Sequence, residues 1–187
     1  MIPICQVTVL VDTRENYPLP FPDSVAVGSG PHRTRVFLRT KPAKLDAGDY
    51  CLEASPSTCI VERKASRNEL ATNLFDPKDQ PRALRAFKRL AEATTAPILM
   101  LEVSPHELAI PAPTKSSRGA HFPLPNVTGA ELLSRICTLV AHHNLHLMWF
   151  ARATHRVRIG EAVAQMMISY ALHKDAKFLQ KCLTSSP

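Results

Sequence analysis

The sequence predicts one α/β domain in which a mixed central sheet is flanked by helices. Three observations lead to it. The first half carries short, β-branched apolar runs and a hairpin pattern. The second half alternates strand-like runs with segments of helical period. The chain has 187 residues, 45% of them apolar, enough for one packed core.

Val7 to Val11 reads as a buried strand ending at Asp12. Asn16 to His32 holds four prolines and two glycines and reads as a loop. Thr34 to Leu38 follows as a strand. Asp49–Glu53 and Thr58–Lys64 flank Ala-Ser-Pro-Ser and predict a hairpin. Alternation in the second of these strands puts Glu62 and Lys64 on one face, Val61 and Arg63 on the other.

Ser66–Leu74 and Gln80–Glu92 predict helices, the latter with Pro81 in its first turn. In the second helix Leu84, Phe87 and Ala91 share a face, and Arg82, Arg85 and Arg89 lie opposite. That arginine stripe reads equally as a solvated face or a phosphate-binding one. Ile98–Val103 predicts a central buried strand, and proline-rich Ser104–Asn126 a long exposed loop. Thr128 and Glu131 have capping-box spacing before a helix carrying Leu132, Leu133, Ile136, Leu139 and Val140. Leu145–Phe150 reads as a strand. Ile159, Val163, Met166, Met167 and Tyr170 mark a last long helix, as core or subunit interface.

Lysine and arginine number 23 against 16 acidic residues, a formal net charge of +7. Such a balance favours a polyanionic partner, although the same charge also serves solubility. No run approaches the length of a membrane span, and Met1–Gln6 lacks the features of a secretory signal, so an intracellular protein without membrane association is expected. Five cysteines, Cys5, Cys51, Cys59, Cys137 and Cys182, are widely spaced and form no CxxC pair; they read mostly as small apolar core groups. His142, His143, His146 and His155 straddle a helix-to-strand boundary and read as surface or helix-end residues.

The most informative pattern is Gly48-Asp49, twelve residues, then Glu62-Arg63-Lys64. Phosphodiester cleavage needs a positioned water, charge stabilisation on the phosphoryl oxygens and help for the leaving group; a hard cation on carboxylates supplies much of this. Mg2+ is commonly held by one or two carboxylates, which Asp49 and Glu62 provide if the hairpin brings them together. Lys64 can polarise a water or stabilise developing charge. Asp12, at the end of a neighbouring strand, adds a third carboxylate. Spacing alone also fits a plain ion pair on an exposed strand.

Three segments together carry a resemblance. Val11-Asp12-Thr13-Arg14-Glu15, Gly48-Asp49-Tyr50 and Val61-Glu62-Arg63-Lys64 resemble, in order and approximate spacing, the V-D-x-R-E, G-D-Y and V-E-R-K segments of the XPF/Mus family of structure-specific endonucleases. Ser117-Arg118-Gly119-Ala120 and the strand–helix alternation to Leu172 look familial too. The resemblance implies a restriction-endonuclease-like nuclease domain over residues 1–172, followed by a short basic tail, 173–187. It implies a phosphodiesterase dependent on Mg2+ or Mn2+ that nicks branched or structured DNA near single-strand/double-strand junctions. Asp49 and Glu62 would be metal ligands, Lys64 the catalytic lysine, and Asp12 a further catalytic carboxylate. Glu15 would support them, and Arg14 or Arg63 would contact phosphate.

Two departures stand out. Asn68 occupies the place of a family aspartate, with Glu69 one position on. No helix-hairpin-helix modules follow Leu172, so DNA would be held by the domain's own basic surface: Arg82, Arg85, Arg89, Arg33, Arg35, Lys115 and Arg118. The family's dimers lead us to expect a homodimer or heterodimer. Two alternatives remain open at this level: a catalytically silent module that recruits a partner nuclease, and a sequence-selective nickase.

Overall fold

A computed structural model describes residues 5–28, 30, 33–109, 127–151, 153–174 and 178. Seven strands form one mixed sheet in the order β2-β3-β1-β4-β5-β6-β7. They are β1 (Cys5–Asp12), β2 (Ser24–Val27), β3 (Thr34–Ala43), β4 (Tyr50–Leu52), β5 (Ile60–Lys64), β6 (Pro97–Leu101) and β7 (His146–Trp149). Strands β1 and β3 run parallel, as do β5, β6 and β7; β4 is antiparallel to both β1 and β5. The carboxyl ends of β1, β3, β5, β6 and β7 therefore share one rim of the sheet with the amino end of β4.

Helix α5 (Arg156–Lys174) covers one face. Its Ile159, Val163, Ala164, Met167, Ile168 and Ala171 pack on Val7, Val9, Val25, Val36, Tyr50 and Val61. Gly160 is needed for that contact, because a Cβ there would lie 2.1 Å from the Pro20 carbonyl oxygen. The other face carries α1 (Arg67–Phe75) and α2 (Gln80–Ala93), both seated on β5, with α3 (Pro105–Ala109) and α4 (Gly129–His143) beyond them. β6 is buried along its whole length, as its unbroken apolar run requires.

Most expected elements form, and three readings change. β2 lies inside the stretch read as loop: its Val25 and Val27 are buried and Ser24 and Ala26 are not. Flanking prolines hide this four-residue alternation. β3 continues to Ala43, through Pro42. β2 pairs only with Thr34–Phe37, so the remainder of β3 is an edge, where a missing N–H is tolerated. In α2 the buried stripe is Ala83, Phe87 and Leu90, about a quarter-turn from the one expected, and Leu84 is exposed.

The Thr128–Glu131 capping box forms reciprocally. The stretch read as a loop from Ser104 opens with α3; residues 110–126, with Lys115 and Ser117–Ala120, lie outside the described residues. So does most of the expected tail. Helix α5 runs on to Lys174, two residues past the expected boundary, and Phe178 is buried in the core. Cys5, Cys51 and Cys59 are buried free thiols, and Cys137 is an exposed one. Burial pushes Cys51 up to about 11 and Cys59 up to about 12, leaving both uncharged. No described helix is long and apolar enough to cross a membrane.

Candidate active site

The rim at the carboxyl ends of β1, β5 and β6 gathers the three charged motifs. In open α/β sheets this rim is the usual ligand site. A cleft of about 290 Å3 opens there, lined by Arg14, Glu15, Asn16, Tyr17, Asp49, Arg63, Lys64, Ala65 and Glu69.

Asp49 precedes β4 and is fixed by its backbone. Its N–H donates to the Val61 carbonyl at 2.8 Å, and its carbonyl accepts from Asp12 N at 2.9 Å. Its carboxylate Oδ2 accepts from Arg63 N at 2.7 Å. The turn that delivers it depends on Gly48, at φ +67°, where an added Cβ would lie 2.3 Å from Ile60 Cγ2 and 3.0 Å from the Val61 oxygen. Gly48→Ala combines left-handed backbone strain with overpacking, so a loss of about 2–4 kcal/mol is expected in urea unfolding. An unchanged midpoint would remove Gly48 from this account.

Burial first, and then the charge of Glu62, raise the Asp49 carboxyl to about 7. Glu62 projects from β5 on the same face as Lys64, whose Nζ lies 2.7 Å from Glu62 Oε1. The same ammonium lies 3.5 Å from Glu69 Oε1 and 5.7 Å from the centre of the Phe87 ring. Burial opposes the ammonium, but Glu62, Glu69 and Asp49 outweigh it and hold Lys64 above the usual lysine range. Lys64 is therefore a fixed cation, unsuited as it stands to accept a proton.

The position of Glu69 differs from simple helix counting. Ser66 caps α1, its hydroxyl accepting from Glu69 N at 3.2 Å, and the Glu69 carboxylate returns to accept from Ala65 N at 2.8 Å. That return brings a carboxylate to Lys64. Asn68, expected to support the site, is not among the cleft-lining residues, and Glu69 is.

Asp12, expected as a catalytic carboxylate, is buried and fully engaged. It accepts from Arg14 N at 2.7 Å, Arg14 Nε and Nη2 at 2.8 Å each, and Leu45 N at 2.9 Å. Its work is to aim Arg14, whose side chain is 61% exposed at the cleft. The guanidinium of Arg14, opposed by burial and helped by the Leu45 and Arg14 amides, holds the Asp12 carboxyl down at about 2. A depressed carboxyl stabilises the fold above its unfolded value of 3.8 and loses that contribution as pH falls toward 2. With Arg14 open to solvent, about 1–2 kcal/mol is expected. Urea unfolding should show Asp12→Asn less stable than the parent by that amount at pH 6, with the gap closing near pH 2. A pH-independent gap would count against it.

Arg63, expected as an alternative to Arg14 to contact phosphate, lines the cleft but projects to the α5 face, and its side chain is 6% exposed. Its guanidinium donates to Glu102 Oε1 at 2.5 Å and to the Tyr17 carbonyl at 3.2 Å, and lies 3.3 Å from Glu15 Oε2. It braces the cleft floor from beneath, and Glu15 is one of its anchors. Arg156 of α5 reaches the same Tyr17 carbonyl, at 2.5 Å, and that of Pro18, at 3.1 Å. The Asn16–Pro20 segment is thereby pinned at the mouth of the cleft, with the Tyr17 ring projecting and the residue 74% exposed. Neither Glu102, Arg156 nor Tyr17 carried a motif signal.

Arg82, Arg85 and Arg89 are exposed on the side of α2 opposite Phe87, hence opposite Lys64, and do not line the cleft. Arg82 pairs with Asp79 at 3.1 Å. His142 and His143 sit in the last turn of α4, and the described residues contain no group of three or more His, Cys, Asp or Glu able to hold a metal ion. Glu62 does not line the cleft itself but adjoins Asp49 and Lys64, which do. A cation between Asp49 and Glu62 would have two carboxylates and complete its shell with water and phosphate oxygens, as Mg2+ ordinarily does. The donor chemistry fits. Both groups offer hard oxygens, and a cation would offset the repulsion and desolvation that Asp49 bears.

No protein-family model matches the sequence, and no curated protein matches it. Solved structures do. One is XPF from Aeropyrum pernix, 20% identical, with a TM-score of 0.52, covering 85% of this chain and 60% of that one. Another is XPF from Aeropyrum pernix in complex with DNA, 21% identical, TM-score 0.52, covering 97% of this chain and 74% of that one. The chain has an XPF-like fold and spans 60% of the first of these structures.

Proposed function

We propose that this chain is a divalent-metal-dependent endonuclease that nicks branched or structured DNA near single-strand/double-strand junctions. The observation that carries the reading is the meeting of Asp49, Glu62 and Lys64 where β5 ends beside the cleft. An isolated ion pair on an exposed strand has no need of a second, desolvated carboxylate or of an exposed arginine aimed at the same opening. The XPF-like fold, shared with a protein solved in complex with DNA, supports the same reading.

Asp49 and Glu62 would hold Mg2+ or Mn2+. When bound, the ion supplies Lewis-acid stabilisation of charge on the phosphoryl oxygens and lowers the pKa of water. The chain's own residues do the rest. Arg14, oriented by Asp12, grips a phosphate beside the scissile one. Lys64, held charged by its carboxylate neighbours, would stabilise negative charge developing on the phosphoryl oxygens and orient the attacking water. Glu69 keeps Lys64 in place. Tyr17 and the pinned Asn16–Pro20 segment shape the opening through which a strand enters.

The test is cleavage of labelled forks, flaps and plain duplex with Mg2+, Mn2+ and no metal. Metal-dependent nicking close to the junction is expected, with the rate of Asp49→Asn lowered by on the order of 10³-fold. Salt-sensitive binding without cutting under any metal would replace this reading with that of a silent DNA-binding module. Cuts at one sequence regardless of branching would replace it with that of a nickase.

A further inference from the structure

The face of the sheet that carries Glu62 and Lys64 does not end at β4. Paired residues across strands share a face. Ile60 pairs with Cys51, Cys51 with Leu10, and Leu10 with Lys41. Alternation along β5 and β3 then places Ile60, Glu62 and Lys64 on the same face as Arg35, Phe37, Arg39 and Lys41. Over β5 this face is covered by α1 and α2. Over β3 it is open: Arg35, Phe37, Arg39 and Lys41 are all exposed, while the intervening Val36 and Leu38 are buried toward α5.

Lys41 is neutralised by Glu53 at 2.6 Å. Arg35 and Arg39 enter no ion pair among the described residues, and Phe37 stands between them, 39% exposed. Their neighbours across the sheet are the uncharged Gln6, Thr8, Ser24 and Ala26. From Arg35 to Lys41 the row runs about 20 Å. Its far end meets the cleft: Thr13 N donates to the Ala43 carbonyl at 3.0 Å, and Arg14 Nη2 to that of Leu45 at 2.7 Å.

We propose that the open half of this face is a track for a single-stranded DNA segment leaving the cleft, which rests on the endonuclease reading above. Arg39 and Arg35 pair with successive phosphates, and an unpaired base stacks on Phe37. A positively charged surface with an aromatic platform is the common solution for single strands, because every base has a π-face. Duplex fits poorly, since its bases are already stacked and none is free to stack on Phe37. The track makes the single-stranded arm of a junction, rather than its duplex, the part gripped beyond the active site.

The experiment measures affinity by fluorescence anisotropy without divalent metal, so that no cutting is required. Duplexes carrying single-stranded overhangs of increasing length are compared with blunt duplex, for the parent, Phe37→Ala and the double variant Arg35→Glu/Arg39→Glu. The parent should gain affinity as the overhang lengthens. The double variant should lose that gain, about tenfold or more, and Phe37→Ala a roughly tenfold share of it. Removing two phosphate contacts with Arg35→Gln/Arg39→Gln should also lower the single-strand salt slope by about 1.4. All three positions are exposed, so thermal unfolding should change little and reports whether a variant is folded. No gain with overhang in the parent, or an equal gain in folded variants, would overturn the track. Displacement of the overhang by DNA but not by polyglutamate separates a nucleic-acid surface from one for acidic protein, and equal displacement would also overturn it. Failure of the endonuclease reading looks different: no cutting with any metal, whatever the overhang does to binding.

Discussion

Lys64→Met is expected to slow single-turnover nicking by on the order of 10²–10³-fold while leaving junction affinity nearly unchanged. Methionine is one atom shorter but keeps most of the apolar stem on Phe87, and it removes the charge together with the hydrogen bond to Glu62. The ammonium lies 2.7 Å from Glu62 Oε1, beside the desolvated carboxyl of Asp49, at the edge of the space a phosphate would enter. A cation fixed there before the substrate arrives needs no reorganisation as charge develops, which is why its loss should appear in the chemical step more than in binding. Lys64→Arg tests the same point from the other side. It keeps the charge but spreads it over a planar fork, and should recover folding fully and cutting only in part. Thermal unfolding of each variant separates lost chemistry from lost structure. Parent-like cutting by well-folded Lys64→Met would end the proposed role.

Much of this site was legible in the sequence. Period-two alternation in β5 puts Glu62 and Lys64 together without any tertiary information, and the 2.7 Å contact follows from it. The hairpin between Asp49 and Lys64 follows from its turn residues, and it places Asp49 next to Arg63 N. The capping box of α4 is equally local. What stayed hidden depends on partners far along the chain. The assignment of Arg14 or Arg63 to phosphate came with the family resemblance, but the partners of Arg63 are Glu102, 39 residues later, and the Tyr17 carbonyl. Asp12 looked like a free carboxylate because nothing local reveals that Arg14 folds back and that Leu45 N approaches it. Glu69 was set aside on helical phase, yet a glutamate side chain is long enough to return past the Ser66 cap. Arg35 was legible as part of a basic DNA-facing surface, but Phe37 and Arg39 join it only once the sheet order shows which face they share with the active site.

Arg63→Met is expected to cost about 3–5 kcal/mol in urea unfolding, a large share of what holds a domain of this size together. Two carboxylates depend on this guanidinium. Glu102 and Glu15 are each 13% exposed at the side chain, and neither has another cation in ion-pair range among the described residues. Removing the arginine leaves both charges with little water to replace it, and that residual desolvation, rather than the strength of the pair, sets the size of the loss. The Tyr17 carbonyl would keep Arg156 as its one donor, so the Asn16–Pro20 segment should loosen and the mouth of the cleft with it. Arg63→Lys should fall between, since an ammonium can meet one carboxylate but not span Glu102, Glu15 and Tyr17 together. The discriminating variant is Arg63→Met/Glu102→Leu. If buried, unpaired charge is the cause, removing Glu102 should restore part of the stability; if Arg63 matters only as packing, the second change should add to the damage. A loss below about 1 kcal/mol for Arg63→Met would place Glu102 and Glu15 in water after all and return Arg63 to the set of residues free to meet phosphate.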